Sequence, residues 1–214
     1  MLELGLKVLL SYLLGSLVGS LVLRPVFGGV DIREMGSGNP GSTNALRTQG
    51  KGFAFWVILI DLLKGVVAVW LIPLIAVGSQ SNDPMISRDW LAAACGAAVV
   101  VGHCYPLWFS MKGGKGAATL VGVYAVLAPK ALVVVLVVWM LALLITRYVG
   151  VATMAGSAAA PVYLLAYEKL PWNDAHVAFA IALALFIVYT HRMNIQRMRA
   201  GTEERDWNPG KKHS

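Results

Sequence analysis

Three short polar stretches carry the side chains in this sequence best suited to holding an anion. Met35-Gly36-Ser37-Gly38-Asn39-Pro40-Gly41-Ser42-Thr43-Asn44 is followed by Arg47. Lys112-Gly113-Gly114-Lys115-Gly116 comes next, with eight residues between it and Gly102-His103. The third is His191-Arg192-Met193-Asn194-Ile195 with Arg197, Gly201 and Glu203. Glycines let backbone N–H groups close around an anion. Ser37 and Asn39 add neutral hydrogen bonds, and Arg47 adds a planar fork matched to phosphate. Lys112 and Lys115 beside glycines, just before an apolar run, are arranged like a phosphate cradle at a helix N-terminus. His191 and Asn194 are three residues apart and share a face if the last helix continues through them, and Arg197 extends that face. Glu203 is placed to order an arginine.

Each stretch also has a plainer reading. Glycine, asparagine and proline make ordinary turns, lysines at a span end act as cytoplasmic anchors, and an interfacial histidine is commonly just a satisfied polar residue. Other chemistries lack their residues. Gly116 follows Lys115 where a P-loop needs Ser or Thr. No Gly-x-Ser-x-Gly elbow occurs, neither His103 nor His191 is followed by aspartate at the His-x4-Asp spacing, and no His, Cys and carboxylate cluster has metal-site spacing. The expected metal and cofactor complement is therefore none.

The elements that position these stretches are membrane spans. The chain has 214 residues, of which 57% are hydrophobic and 14% charged, and its mean hydropathy is positive. One soluble core of that size could not bury so much apolar surface, so an all-α polytopic membrane protein is expected. Apolar segments run over 4–23, 53–77, 90–109, 117–128, 131–146, 149–167 and 175–189. Pro129-Lys130 divides the fourth from the fifth, because proline ends helices. The first segment ends in no small-residue cleavage site and reads as a retained span. Cys95 and Cys104 lie in one helix, roughly 13.5 Å apart along its axis, beyond disulfide reach. Asp61 and Lys64 lie inside the second span, where charges are functional candidates by default. At a spacing of three they can neutralise each other, and a structural pair is the reading here.

The formal charge is +7. No basic face is interleaved with exposed aromatics, so a nucleic-acid partner is not indicated. With seven crossings the three polar stretches and the C-terminal tail share one side. Lys7, Arg88, Lys130 and Lys169 alone remain opposite, with Lys64 inside a span. The positive-inside rule then puts the N-terminus outside and the C-terminus in the cytoplasm. The fourth segment is only about 18 Å long as a helix, against a roughly 30 Å hydrocarbon core. One transmembrane domain over 1–201 and a polar cytoplasmic tail over 202–214 are expected.

In order and composition the three stretches resemble the motifs of the bacterial acyl-phosphate-dependent glycerol-3-phosphate acyltransferase family. The resemblance covers essentially the whole chain. Lys112 stands where arginine is also usual, and Met198 where leucine is. The resemblance implies transfer of a fatty acyl group from acyl phosphate to the 1-hydroxyl of glycerol 3-phosphate, giving lysophosphatidic acid and inorganic phosphate in phospholipid synthesis. It implies a multi-pass protein of the bacterial cytoplasmic membrane with its site facing the cytoplasm. Ser37, Arg47, Lys115, His191 and Asn194 are the expected catalytic set. Gly38, Asn39, Asn44, Lys112, Gly113, Gly114, Gly116 and Arg197 are the expected substrate-binding residues, with His103 and Glu203 structural beside them. The expected partners are acyl phosphate from the bilayer, glycerol 3-phosphate from the cytoplasm, and membrane lipids.

Acyl phosphate is a mixed anhydride with phosphate as its leaving group. Cations and hydrogen-bond donors can therefore supply much of the acceleration. Orientation by Arg47, Lys115 and Asn194, with the donor's phosphate taking the proton, is one reading; His191 as general base is the other. A transporter or flippase of a phosphorylated metabolite would show paired halves with sites near the midplane, and no such repeat is present. A purely structural subunit leaves three phosphate-like stretches unexplained.

Overall fold

A computed structural model describes residues 2–76 and 87–205. Every regular element among the described residues is helical. The helices are α1 (Leu2–Gly15), α2 (Gly19–Leu23), α3 (Ser42–Trp70), α4 (Arg88–Cys104), α5 (Ala117–Leu127), α6 (Pro129–Thr146), α7 (Val149–Ala166), α8 (Ala175–Thr190) and α9 (Arg192–Arg199). They form two compact units that divide between Leu127 and Ala128.

In the first unit, α1 packs on α4 and α3 on α5, at crossings so close that only glycine fits. A Cβ on Gly15 would lie 2.2 Å from the Val99 carbonyl oxygen, and one on Gly102 2.2 Å from that of Tyr12. Gly65 and Gly122 make the same approach between α3 and α5. Between lipid-embedded helices, where apolar burial gains little, such small-residue contacts drive association through dispersion. Val18, Val57, Val99, Val100 and Val123 fill the interior. Ser87 caps α4 by accepting from the Trp90 N–H. Gly50 takes φ +81° and interrupts α3, setting the short stretch Ser42–Gln49 apart from the span that follows.

In the second unit Pro129 is the first residue of α6, where its missing N–H costs nothing. α6 and α7 meet where Gly156 faces the Val135 carbonyl and Trp139 Nε1 donates to Thr153 Oγ1 at 3.3 Å. Asp174 caps α8. The outward side of α6 carries Val133, Val137, Leu141, Leu144 and Ile145, all exposed, an apolar surface that lipid would cover.

Each of the seven apolar segments contains helix, the third only as far as Cys104 with a 3-10 turn at Leu107–Phe109, and the division at Pro129 falls where proline was expected to end a helix. Three expectations need refining. The first segment is not one helix: it breaks at residues 16–18. The second ends in a 3-10 turn at Ile72–Leu74, and Val77 lies outside the described residues. Four helical stretches are long and apolar enough to cross a membrane, or five if α8 and α9, bent by 49°, count as one. Of the tail, Thr202–Arg205 is described, and there Arg205 Nε donates to Tyr148 Oη at 3.3 Å. Trp56, Trp70, Trp90, Trp108 and Trp172 are all exposed, as a belt of interfacial tryptophans would be.

Candidate active site

The first polar stretch is a loop built around Asn44. Its side chain is buried. Nδ2 donates to the carbonyls of Ile32 (2.9 Å) and Met35 (3.0 Å), and Oδ1 accepts from the Ser37 N–H at 3.0 Å. Both amide hydrogens of Asn44 thus serve the loop. Gly36 has φ +54°, and a Cβ there would meet Asn44 Oδ1 at 2.3 Å, so the position tolerates only hydrogen. Ser37 and Gly38 are exposed and Asn39 is half-buried at the crest of this loop. Arg47 follows Asn44 by three residues, hence on the same side of the helix, half-buried.

Upstream lies a clamp that the sequence reading passed over. Arg33 donates from Nε and Nη2 to the Asp31 carboxylate (3.0 and 2.7 Å), and from Nη1 to the Phe109 carbonyl at 3.1 Å and, longer, to that of Lys112 at 3.5 Å. Arg24 adds a second ion pair to Asp31 at 3.2 Å. The hydrogen bonds from Arg33 hold the Asp31 carboxyl below its usual range. Arg33 thereby ties the first polar loop to the second. The Asp-x-Arg pattern just before the glycines was the available signal.

The second polar stretch folds back on the end of α4. Ser110 and Met111 take left-handed backbone conformations. The chain then returns so that the Gly113 N–H donates to Cys104 O and the Gly114 N–H to His103 O, each at 3.1 Å. Those bonds satisfy carbonyls the helix end leaves open. The expected cradle is therefore not formed by the Gly113 and Gly114 amides, which are engaged with α4. By helix geometry, the first-turn N–H groups of α5, beginning at Ala117, have no intrahelical acceptor and point toward the Lys115–Gly116 segment. Gly116, at φ +88°, makes the turn into that helix. Lys112 is exposed and Lys115 half-buried. His103 is buried beneath the loop.

In the second unit His191 stands at the break between α8 and α9, so the shared helical face expected for His191 and Asn194 is interrupted by the bend. His191 Nδ1 lies 2.8 Å from the Ile187 carbonyl. A carbonyl only accepts, so Nδ1 carries the hydrogen and the neutral ring has its lone pair on Nε2. Asn194 is buried against Gly150. The Glu203 carboxylate bridges two expected site residues: Asn194 Nδ2 donates to Oε1 and Arg197 Nε to Oε2, both at 2.5 Å. Glu203 reaches them because α9 ends in a Schellman turn. Gly201 is left-handed (φ +70°), its N–H bonds Met198 O, and the Thr202 N–H bonds Arg197 O at 2.9 Å. The sequence reading counted Arg197 among four anion-binding cations. Arg197 is ion-paired to Glu203, and the other three cations, Arg47, Lys112 and Lys115, belong to the first unit.

The family model described as glycerol-3-phosphate acyltransferase matches residues 6–201. The chain belongs to this family. Curated members include a glycerol-3-phosphate acyltransferase of Halalkalibacterium halodurans, 38% identical with 95% of this chain and 96% of that protein covered. Another is glycerol-3-phosphate acyltransferase 1 of Deinococcus radiodurans, 40% identical with 94% of each covered. Among solved structures the chain is similar to PlsY (YgiH), an integral membrane glycerol 3-phosphate acyltransferase, in its glycerol 3-phosphate and lysophosphatidic acid forms. Each matches with TM-score 0.78 and 36% identity over 94% of both chains. Family membership makes this chain an acyltransferase of the membrane and sets aside the transporter and structural-subunit readings.

Proposed function

We propose that this protein acylates the 1-hydroxyl of glycerol 3-phosphate with a fatty acyl group from acyl phosphate, at the cytoplasmic edge of the bacterial cytoplasmic membrane. The product is lysophosphatidic acid. The chain crosses the bilayer seven times, N-terminus outside and C-terminus inside, with the short α5 as one crossing. Lysine and arginine bias supports that orientation. The observation that carries the reading is the pairing, by Arg33, of two glycine-rich loops bearing Ser37, Arg47, Lys112 and Lys115 at one end of apolar helices. A donor with a lipid tail and an acceptor that is small and dianionic both reach such an edge.

The glycerol 3-phosphate 1-hydroxyl oxygen bonds to the acyl carbonyl carbon. The carbon–oxygen bond to phosphate then breaks, and inorganic phosphate leaves with the electron pair. The hydroxyl proton passes to a phosphate oxygen. Because that acceptor is already in the donor molecule, no strong protein base is needed. Arg47 and Lys115 neutralise the phosphate charge, and Ser37 and the start of α5 offer hydrogen bonds to the developing oxyanion. Lys112 draws anions to the loop. Gly38 and Asn39 shape the first loop, and Gly113, Gly114 and Gly116 shape the second. The family resemblance also implies roles in activity for His191, Asn194 and Arg197, the last two held by Glu203.

The rival step uses the Nε2 lone pair of His191 as general base. If His191→Ala keeps most of its kcat with an unchanged pH–rate profile, the base is excluded; a loss of about a thousandfold or more with binding intact favours it. The donor is tested by offering purified protein palmitoyl phosphate or a palmitoyl thioester with glycerol 3-phosphate. Mass spectrometry should find 1-palmitoyl-glycerol 3-phosphate from the phosphate only. Product from the thioester alone would overturn the donor assignment.

A further inference from the structure

Asp61 and Lys64 enter none of the steps above, yet both are buried inside the first unit. The structure assigns them a function through His103: we propose that Asp61, Lys64 and His103 form a positioning cluster that sets the glycine loop Lys112–Gly116 against α4.

The cluster begins at the gap between α1 and α2. Where the helix stops, its carbonyls and amides lose their partners and need replacements in a lipid-embedded interior. Lys64 Nζ donates to the carbonyls of Gly15 (2.9 Å) and Leu17 (3.0 Å), and the Gly19 N–H donates to Asp61 Oδ1 at 3.1 Å. Lys64 and Asp61 pair with each other at 2.9 Å. A pair that only repaired the gap would stop there.

It continues to His103. Its Nδ1 lies 2.9 Å from Lys64 Nζ and 3.3 Å from Asp61 Oδ1. Nδ1 therefore faces both members of the charged pair. The opposite edge of the ring supports the loop. A Cβ on Gly114 would lie 2.1 Å from His103 Nε2, and one on Gly113 2.0 Å from His103 O. The Gly114 N–H bonds that same carbonyl. His103 is thus fixed on one edge by the charged pair, and on the other it sets how closely the loop can approach. Gly114 is one residue from Lys115 and three from the start of α5. A shift of about 1 Å there is enough to spoil a phosphate contact. The three are positioning residues, since none is placed on a substrate.

The inference rests on the loop handling a substrate phosphate, so its test includes a readout that needs no turnover. Asp61→Asn/Lys64→Met removes both charges together and leaves no lone buried ion. His103→Ala removes the support alone. Expected for both is a rise of at least tenfold in KM for one phosphorylated substrate, with kcat falling less. Amide exchange in a peptide spanning 110–119 should become at least tenfold faster, while exchange within α7 is unchanged. His103→Gln, which can reach the loop with its amide, should recover part of the KM. Wild-type KM for both substrates, and wild-type exchange over 110–119 in folded double variant, would overturn the proposal and leave the pair a repair of the helix gap. If the wild-type protein itself releases no phosphate in the presence of glycerol 3-phosphate, the enzymatic reading fails, and the exchange arm still decides the cluster.

Discussion

The glycine loop after α4 and the helix break before α9 both set polar groups at the end of an apolar helix, but different forces hold them. In the first unit the backbone is laid onto finished helix ends. Gly113 and Gly114 bond α4 carbonyls and rest on His103 with room only for hydrogen, and Arg33 ties that loop to the first one through backbone carbonyls. In the second unit one carboxylate, Glu203, bridges two side chains from a turn just beyond the helix. The first arrangement is limited by space and the second by charge. The first should fail when atoms are added, the second when charge is removed.

The contrast is broken most severely at Gly114. Gly114→Ala pushes a methyl group into the His103 ring. We expect a loss of about a hundredfold or more in kcat/KM, about 2.7 kcal/mol of transition-state stabilisation. Phosphate-release kinetics on folded variant give the value. If space is the cause, adding His103→Ala to Gly114→Ala should cost less than the two single losses combined; simple additivity would show that the contact is not the reason.

Glu203 probes the other side. Glu203→Ala leaves Asn194 and Arg197 without their bridge, and charge-assisted hydrogen bonds to a buried group contribute about 1.5–3 kcal/mol. A fall of about thirtyfold in activity is expected, with Glu203→Gln falling less because it still accepts from one partner. Equal activities for Gln and wild type would show that charge does not matter there.

Arg33→Lys sharpens the comparison within the first unit. Lysine cannot hold Asp31 through two nitrogens while also reaching Phe109 O. A KM increase of about threefold to tenfold with little change in kcat is expected. The Asp31 partner gives the pH dependence. Its carboxyl is held below the ordinary value, so its contribution is present above the unfolded pKa and is lost as pH falls through the lower folded one. The thermal midpoint of Asp31→Asn should therefore lie below wild type by a constant amount from about pH 5 to 8, converging only below about pH 4. The smallest effect is expected at Gly201, whose left-handed turn would cost alanine about 1 kcal/mol and lower the midpoint by a few degrees.

Much of this was legible in the sequence, and the rest was not for identifiable reasons. Apolar runs and Pro129 mark the helices because membrane length and proline geometry act locally. The three polar stretches stand out by composition alone. The break at residues 16–18 was hidden because its repair comes from Lys64, nearly fifty positions away, and nothing near Ser16 signals it. The return of Gly113 and Gly114 onto α4 is equally non-local, so glycines that suggested amide donors turned out to serve close packing. The bonds of Asn44 and Arg33 were not legible for a related reason: a polar side chain in a glycine-rich loop organises the loop as readily as it binds a ligand. Glu203, by contrast, was readable, since an acid just past a helix-ending glycine can reach back to that helix's own arginine.

The central claim is that the cationic loops of the first unit serve acyl transfer to glycerol 3-phosphate. Its most direct test is inorganic phosphate release from palmitoyl phosphate by purified protein, with and without glycerol 3-phosphate, for wild type and Arg47→Ala. The account predicts release that requires glycerol 3-phosphate and is lost in folded Arg47→Ala. Release that ignores glycerol 3-phosphate, or that persists unchanged in Arg47→Ala, would contradict it.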